Sequence, residues 1–169
     1  MRTLTAMVAG LALGAGAAMA AETPAGPAQQ ALDRIKGLVG TWEGKIATPD
    51  GPPGSVRYEL TGGGTTVVER LFPGTDHEMM TVYHLDGDTL LATHYCAMGN
   101  QPVMKLEKAT AQELSFGFVG GTNMDASKDV HIHSGRLRFV DGGKLESEWD
   151  VYEGATKRSS NRFFLARKP

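Results

Sequence analysis

Two short segments hold the residues of this sequence best suited to chemistry, His94-Tyr95-Cys96 and His131-Ile132-His133. Each segment places two coordinating side chains at positions i and i+2, and a β-strand points such positions to the same face. The two segments lie far apart along the chain. They can form one metal or ligand pocket only if the fold brings them together.

Imidazole and thiolate groups are ligands for zinc and copper, so a transition-metal site built from His94, Cys96, His131 and His133 is one hypothesis. The alternative is that these histidines line a polar opening and hydrogen-bond to their neighbours. A Cys96 nucleophile with His94 as its base would need a third group to orient the imidazole. The sequence shows no such group, and no catalytic residue is assigned.

The first twenty residues have the order of a secretory signal peptide. Arg2 precedes a short run rich in Ala, Gly and Leu, which ends in the cleavage-type triplet Ala18-Met19-Ala20. Residues 21–28 are rich in Pro and Ala and are expected to form a flexible leader. We therefore expect export to the periplasm or the extracellular space.

The remaining chain, residues 29–169, is long enough for a single domain with its own core. Cys96 is the only cysteine, which excludes a disulfide within the chain. The formal net charge is −2, and the charged residues form no basic face, so nucleic acid is not an expected partner. No further apolar run is long enough for stable membrane insertion. The oligomeric state cannot be read from these features.

The periodicity of apolar residues predicts one helix followed by strands. Leu32, Ile35 and Leu38 repeat with helical spacing within 29–39, and the period then becomes two with Gly- and Asp-rich turns between segments. Ten strands are predicted, at Thr41–Ala47, Ser55–Leu60, Thr65–Phe72, His77–Leu85, Asp88–Ala97, Pro102–Lys108, Glu113–Val119, Asp129–Val140, Lys144–Tyr152 and Lys157–Arg167.

No second helix is long enough for a crossover between parallel strands. The predicted fold is therefore all-β: a closed antiparallel up-and-down β-barrel of about ten strands with a short N-terminal helix. Closure is expected because an open meander would leave two unpaired edges. Alternate strands run in opposite directions, which puts both histidine segments at one end of the barrel and Trp42 at the other.

Alternation along the strands predicts which side chains point inward. Arg136 and Arg138 favour solvent, so the opposite face, with His131, His133 and Leu137, is expected to face the interior. Trp149 is expected to point inward across from Gly135. For His94 and Cys96, two registers of the turn after Leu85 remain open: one groups them with Met79 and Tyr83, the other with Met80 and His84.

The segment Leu38-Val39-Gly40-Thr41-Trp42-Glu43-Gly44 resembles the start of lipocalin-like (calycin) barrels, in which a short helix precedes a G-x-W motif. The resemblance implies that Gly40 and Trp42 are structural and that Trp42 packs across the barrel floor. It also implies that a basic side chain of the last strand, Arg162 or Arg167, covers this Trp. The run MTVYHLDGDTLLATHYCAMGNQP is similar to a group of secreted bacterial lipocalin-like proteins.

Nitrobindin-type haem barrels also begin with G-T-W and have ten strands. They use a histidine late in the chain as haem ligand, whereas His133 is the last histidine of this sequence. Zinc or copper, and haem as a further alternative, are therefore the cofactors to be considered.

The favoured interpretation is an exported barrel that binds a small apolar or aromatic molecule in a histidine-lined mouth. The alternative is a metal- or haem-dependent enzyme or sensor that uses the His94/Cys96 and His131/His133 pairs. The inward aromatic residues suit an apolar ligand and equally suit a packed core. The residues expected to bind the ligand are His94, Tyr83, Phe116, Phe118 and Trp149.

The signal peptide gives a direct prediction. N-terminal sequencing of the exported protein should begin near Ala21, because the cleavage-type triplet ends at Ala20. A protein that retains residues 1–20 and stays in the cytoplasm would contradict it.

Overall fold

A computed structural model describes residues 25–169 of the chain. The predicted signal peptide, 1–20, and the first half of the leader, 21–24, lie outside the described residues. The prediction of a flexible leader is wrong at its end, because Pro27 and Ala28 belong to the helix and Ala28 is buried. The described part begins with a helix that has Pro27 in its first turn, where a missing amide N–H costs nothing.

Ten strands follow this helix, as the sequence predicts, and their bounds differ from the predicted ones by at most three residues. A single 3₁₀ turn, Gly62–Gly64, joins the second and third strands. The elements are α1 Pro27–Lys36, β1 Gly40–Ile46, β2 Pro53–Thr61, β3 Thr66–Leu71, β4 Met79–Asp86, β5 Thr89–Tyr95, β6 Gln101–Ala109, β7 Glu113–Thr122, β8 Val130–Val140, β9 Lys144–Glu153 and β10 Thr156–Arg167.

The strands form a closed antiparallel barrel in which every strand pairs with its neighbours in sequence and β1 also pairs with β10. The predicted up-and-down topology is therefore confirmed, and the fold is consistent with a lipocalin-like barrel. Closure leaves no strand with a free edge. Within residues 25–169, no helix has the length and hydropathy required to cross a lipid bilayer.

Helix α1 covers one end of the barrel, which we call the floor. It buries Ala31, Leu32 and Ile35 and contacts strands β2 to β6. Arg34 lies in the last turn of this helix. Its guanidinium donates to the carbonyls of Thr110 and Ala111, 2.5 and 2.8 Å away, in the loop between β6 and β7. These bonds join the helix to the far side of the floor.

Trp42 packs into this floor with only 3% of its surface exposed, and its indole Nε1 donates to the Leu38 carbonyl at 2.7 Å. The guanidinium of Arg167, which lies opposite Trp42 in the β1–β10 ladder, stacks 4.6 Å from the ring centroid. Arg167 also donates to the carbonyls of Gly37 and Val39. At Gly40, where φ is +130°, a Cβ would lie 2.9 Å from the Arg167 side chain, so glycine suits this position.

Of the two arginines that the sequence left open, Arg167 and not Arg162 covers Trp42, so the structural role expected for Arg162 is wrong. The reason is strand parity, because Arg162 lies on the opposite face from the buried Phe163 and Leu165. Arg162 instead forms an ion pair with Glu148, 3.0 Å away on the outer surface. Glu148 is also paired with Arg136, at 2.6 Å.

The floor gives a prediction on stability. Trp42→Ala should lower the free energy of unfolding by roughly 3–5 kcal/mol, because it removes a large buried aromatic side chain and leaves a cavity. A urea denaturation curve measures the change.

Two arginine variants provide the matched comparison. Arg167→Ala should destabilise the barrel by more than about 1 kcal/mol because three contacts at the floor are lost, whereas Arg162→Ala should cost less than that, as exposed ion pairs do. A loss below about 1 kcal/mol for Trp42→Ala would contradict the account of the floor.

Candidate functional site

The end of the barrel opposite the floor holds a cavity of about 260 Å³, which we call the mouth cavity. Its walls are mostly apolar, and its polar members include an imidazole, a thiol and an indole. It is lined by Leu71, Phe72, Met79, His94, Cys96, Ala97, Met98, Ile132, Trp149, Val151, Ser159, Asn161 and Phe163. Pockets that bind small molecules have this apolar character with a few fixed polar groups.

His94 and Cys96 both line the mouth cavity, as i and i+2 residues of the β5 end. The β4–β5 hairpin has a two-residue loop, Gly87-Asp88, since Asp86 pairs with Thr89. This register puts His94 opposite Thr81 and on the face of Tyr83. It therefore selects the first of the two arrangements that the sequence left open.

His131 and His133 do not line the mouth cavity. A β-bulge lies between Ile132 and Ser134 in the pairing of β8 with β9, so Ile132 pairs with Val151 and His131 pairs with Tyr152. The expectation that both histidines share the inward face of Leu137 is therefore wrong above the bulge. Ile132 takes the place on the cavity wall.

The two histidines form a second cluster with aromatic neighbours at the start of β8. His131 is fully buried; its Nδ1 donates to the Asp129 carbonyl at 2.9 Å, because a carbonyl only accepts. In the neutral ring Nε2 then accepts from His133 Nδ1, 3.0 Å away. His133 stacks on Tyr152 and Phe118 with ring centroids 4.3 and 5.1 Å apart, and burial lowers its pKa.

The predicted four metal ligands thus lie in two places. Among residues 25–169, no three His, Cys, Asp or Glu side chains converge in a geometry that would hold a metal ion. Of the four predicted ligands, His94 and Cys96 line the mouth cavity, together with the thioethers of Met79 and Met98.

A buried carboxyl group lies behind His94, farther inside the barrel. Glu69 of β3 is fully buried and accepts hydrogen bonds from the hydroxyls of Tyr58, at 2.9 Å, and Tyr83, at 2.7 Å. Thr81 is its partner in the β3–β4 ladder. The Thr81 hydroxyl oxygen lies 3.0 Å from Nδ1 of His94. A chain of polar residues, from Glu69 through Thr81 to His94, therefore reaches the cavity wall.

Burial shifts the titration of both ends of this chain. It raises the pKa of Glu69 to about 7, although hydrogen bonds from Tyr83 and Tyr58 oppose the shift. It lowers the pKa of His94 to about 4, so the imidazole is neutral at physiological pH. Burial, with the neighbouring Glu69 carboxylate, raises the pKa values of Tyr58 and Tyr83, and both remain protonated donors.

Two ring nitrogens at the cavity have no hydrogen-bond partner among the described residues, Nε2 of His94 and Nε1 of Trp149. The two rings are stacked, with centroids 6.2 Å apart and an angle of 25°. As predicted, Trp149 lies opposite Gly135, where a Cβ would come within 2.3 Å of the indole. Buried polar groups are nearly always paired, so these two nitrogens are exceptions among the described residues.

The other residues expected to bind a ligand lie elsewhere. Tyr83 and Phe116 are fully packed in the core below the cavity, with ring centroids 5.7 Å apart. Phe118 packs against His131 in the second cluster. Of the five expected residues, His94 and Trp149 line the mouth cavity.

Sequence reasoning missed the polar chain behind His94. A signal for it was present in β3, where Glu69 alternates with Val67 and Leu71, both of which point into the core. A charged residue at an inward position of a short strand indicates a buried, hydrogen-bonded group.

Comparison with known proteins gives no further assignment: neither a protein-family model nor a curated protein matches this sequence.

The shifted pKa values of Glu69 and His94 predict opposite effects of pH on the free energy of unfolding. A raised pKa for Glu69 means that its contribution is fully present below about pH 4.5 and is lost as pH rises through about 7. A lowered pKa for His94 means that its contribution is present above about pH 6.5 and is lost as pH falls toward about 4. As pH rises from 4.5 to 8, the free energy of unfolding of Glu69→Gln should increase by roughly 3 kcal/mol relative to that of wild type. As pH rises from 4 to 7, the free energy of unfolding of His94→Phe should decrease by roughly the same amount relative to that of wild type.

Denaturant melts across this pH range measure both differences. A Glu69→Gln profile parallel to wild type would show that the Glu69 carboxyl titrates as it does in the unfolded chain.

Proposed function

We propose that this protein is an exported, lipocalin-like barrel that binds a small, largely apolar molecule in the mouth cavity. The observation that carries the proposal is the cavity itself, whose mostly apolar walls also include the polar side chains of His94, Cys96 and Asn161. Such a site combines apolar surface for affinity with a few polar groups for orientation.

The size of the cavity supports a small ligand. Its volume of about 260 Å³ lies just below the usual range for ligand pockets. A cavity of roughly 150 Å³ already accommodates benzene in a protein core, so one or two fused rings fit here. The floor is closed by α1 and Trp42, so a ligand would enter from the mouth.

Two features of the sequence support export. The order of residues 1–20 is that of a signal peptide, and residues 80–102 resemble secreted bacterial lipocalin-like proteins. A single cysteine is also compatible with an oxidising compartment, because no wrong disulfide can form within the chain.

A metal- or haem-dependent enzyme or sensor is the second candidate. The observation that favours it is that an imidazole and a thiol, from His94 and Cys96, line the same cavity. Exogenous groups would have to complete the coordination of a metal held there.

A neutral fluorescent probe tests the binding function. N-phenyl-1-naphthylamine should bind wild-type protein with enhanced emission, because the cavity walls remove it from water. Val151→Phe should weaken this binding by at least tenfold, since its larger side chain fills the cavity.

Val119→Phe is the matched control, because Val119 is exposed on β7 and lies away from the cavity. Equal weakening in both variants, or no probe binding by wild-type protein, would contradict the proposal. Stoichiometric uptake of zinc or haem by wild-type protein that His94→Phe abolishes, without binding of the neutral probe, would favour the second candidate.

A further inference from the structure

Three sulfur-bearing side chains line one part of the mouth cavity, those of Met79, Cys96 and Met98. Met79 belongs to β4, and the other two residues directly follow the end of β5. Cys96 is half-buried and Met98 is 50% exposed, so this part of the wall lies at the solvent-facing end of the cavity. An ion could therefore reach it from solution without opening the barrel.

The pairing of β4 with β5 brings Met79 and Cys96 together. Met80 is opposite Tyr95, and the next positions toward the mouth are Met79 on one strand and Cys96 on the other. Both side chains line the cavity, so they share a face of the sheet. Residues directly opposite in antiparallel strands have Cβ atoms about 5 Å apart. The long, unbranched side chain of Met79 can therefore place its sulfur beside the Cys96 thiol.

A tight turn holds Met98 next to Cys96. The Gly99 amide donates to the Cys96 carbonyl at 2.9 Å, and the Cys96 amide donates to the Asn100 carbonyl at 3.1 Å. Asn100 is 5% exposed, and its side-chain amide donates to the Val130 carbonyl at 2.8 Å, which joins the turn to β8. The backbone that carries Cys96 and Met98 is therefore fixed relative to the rest of the barrel.

The chemistry of these donors selects the kind of metal. Thiolate and thioether sulfur are soft ligands and favour Cu(I). Zinc prefers a tetrahedron of thiolate, imidazole and carboxylate ligands, which this cavity does not complete. Calcium and magnesium require oxygen ligands, and no Asp or Glu is among the described residues that line the cavity.

Charge balance also favours a monovalent ion. None of the described residues that line the cavity is Lys, Arg, Asp or Glu, so a Cys96 thiolate would carry the only negative charge of this wall. A monovalent cation and one thiolate are together neutral. A divalent cation would leave an uncompensated charge against mostly apolar walls, which is costly.

We infer that Met79, Cys96 and Met98 form a binding site for Cu(I) at the mouth of the barrel. The Cys96 thiol releases its proton to solvent as the copper–sulfur bond forms, and the copper remains Cu(I) throughout. The two thioethers complete the coordination as neutral ligands. This inference goes beyond the proposed binding of an apolar molecule and does not depend on it.

Competition with the chromogenic Cu(I) chelator bicinchoninate tests the site. In anaerobic buffer with ascorbate, which keeps copper monovalent, wild-type protein should withdraw a single copper ion per chain from the chelator. X-ray absorption at the copper edge should show sulfur ligands. Zn(II), offered in a parallel competition with a zinc-responsive dye, should bind more weakly than Cu(I).

Substitutions of the three residues give the expected losses. Even the outer partners of metal ligands contribute about 10- to 100-fold to affinity, so loss of a ligand should cost at least about tenfold. Met79→Leu and Met98→Leu should each weaken Cu(I) binding by at least about tenfold, and Cys96→Ser by at least about 100-fold. Leucine conserves the volume of methionine, so both methionine variants should fold.

Met80→Leu is the matched control. Met80 is the neighbour of Met79 on β4, points to the opposite face of the sheet and does not line the cavity. Its substitution should leave the Cu(I) affinity unchanged.

Several outcomes would overturn the copper site. They are failure of wild-type protein to compete with the chelator, tighter binding of Zn(II) than of Cu(I), wild-type affinity in Met79→Leu or Met98→Leu, and equal weakening in Met80→Leu and Met79→Leu.

The neutral probe N-phenyl-1-naphthylamine reports on the cavity separately. Binding of this probe without retention of copper would overturn the metal site alone. Retention of copper without binding of the probe would support the metal site and contradict the proposed binding function.

Discussion

The hydrogen-bonded ladder between β1 and β10 is the contact on which the rest of the structure depends. It closes the meander and removes both edges, so every strand has a fixed register with two neighbours. It also places Arg167 opposite Trp42, which joins the first and last strands to the helix at the floor. With the floor closed, the mouth cavity lies at the opposite end of the barrel.

Closure has a second consequence, because every inward side chain enters one shared interior. Glu69 is tolerated there since it accepts hydrogen bonds from hydroxyl groups of β2 and β4, the two strands that pair directly with β3. Thr81, its ladder partner on β4, is hydrogen-bonded in turn to His94. Buried polar groups that are hydrogen-bonded to one another define one arrangement of a core.

The two histidine segments illustrate how far periodicity alone can predict a site. His94 and Cys96 lie in a regular strand end, so the i and i+2 rule holds and both reach the cavity. At His131 and His133 the rule fails, because the bulge inserts one residue and exchanges the faces above it. Nothing in the residues His131-Ile132-His133 announces a bulge. Its presence depends on how β8 must bend between β7 and β9.

The sequence by itself determined the helix, the ten strands, the antiparallel order, the end of the barrel that holds the histidines and the inward orientation of Trp149. Each of these follows from local periodicity, turn residues or strand parity. Tertiary structure decided the β4–β5 register, the choice of Arg167 over Arg162, the bulge in β8 and the polar chain from Glu69 to His94. These depend on which residues of different strands become neighbours, and pairing across a closed sheet is set by all ten strands together.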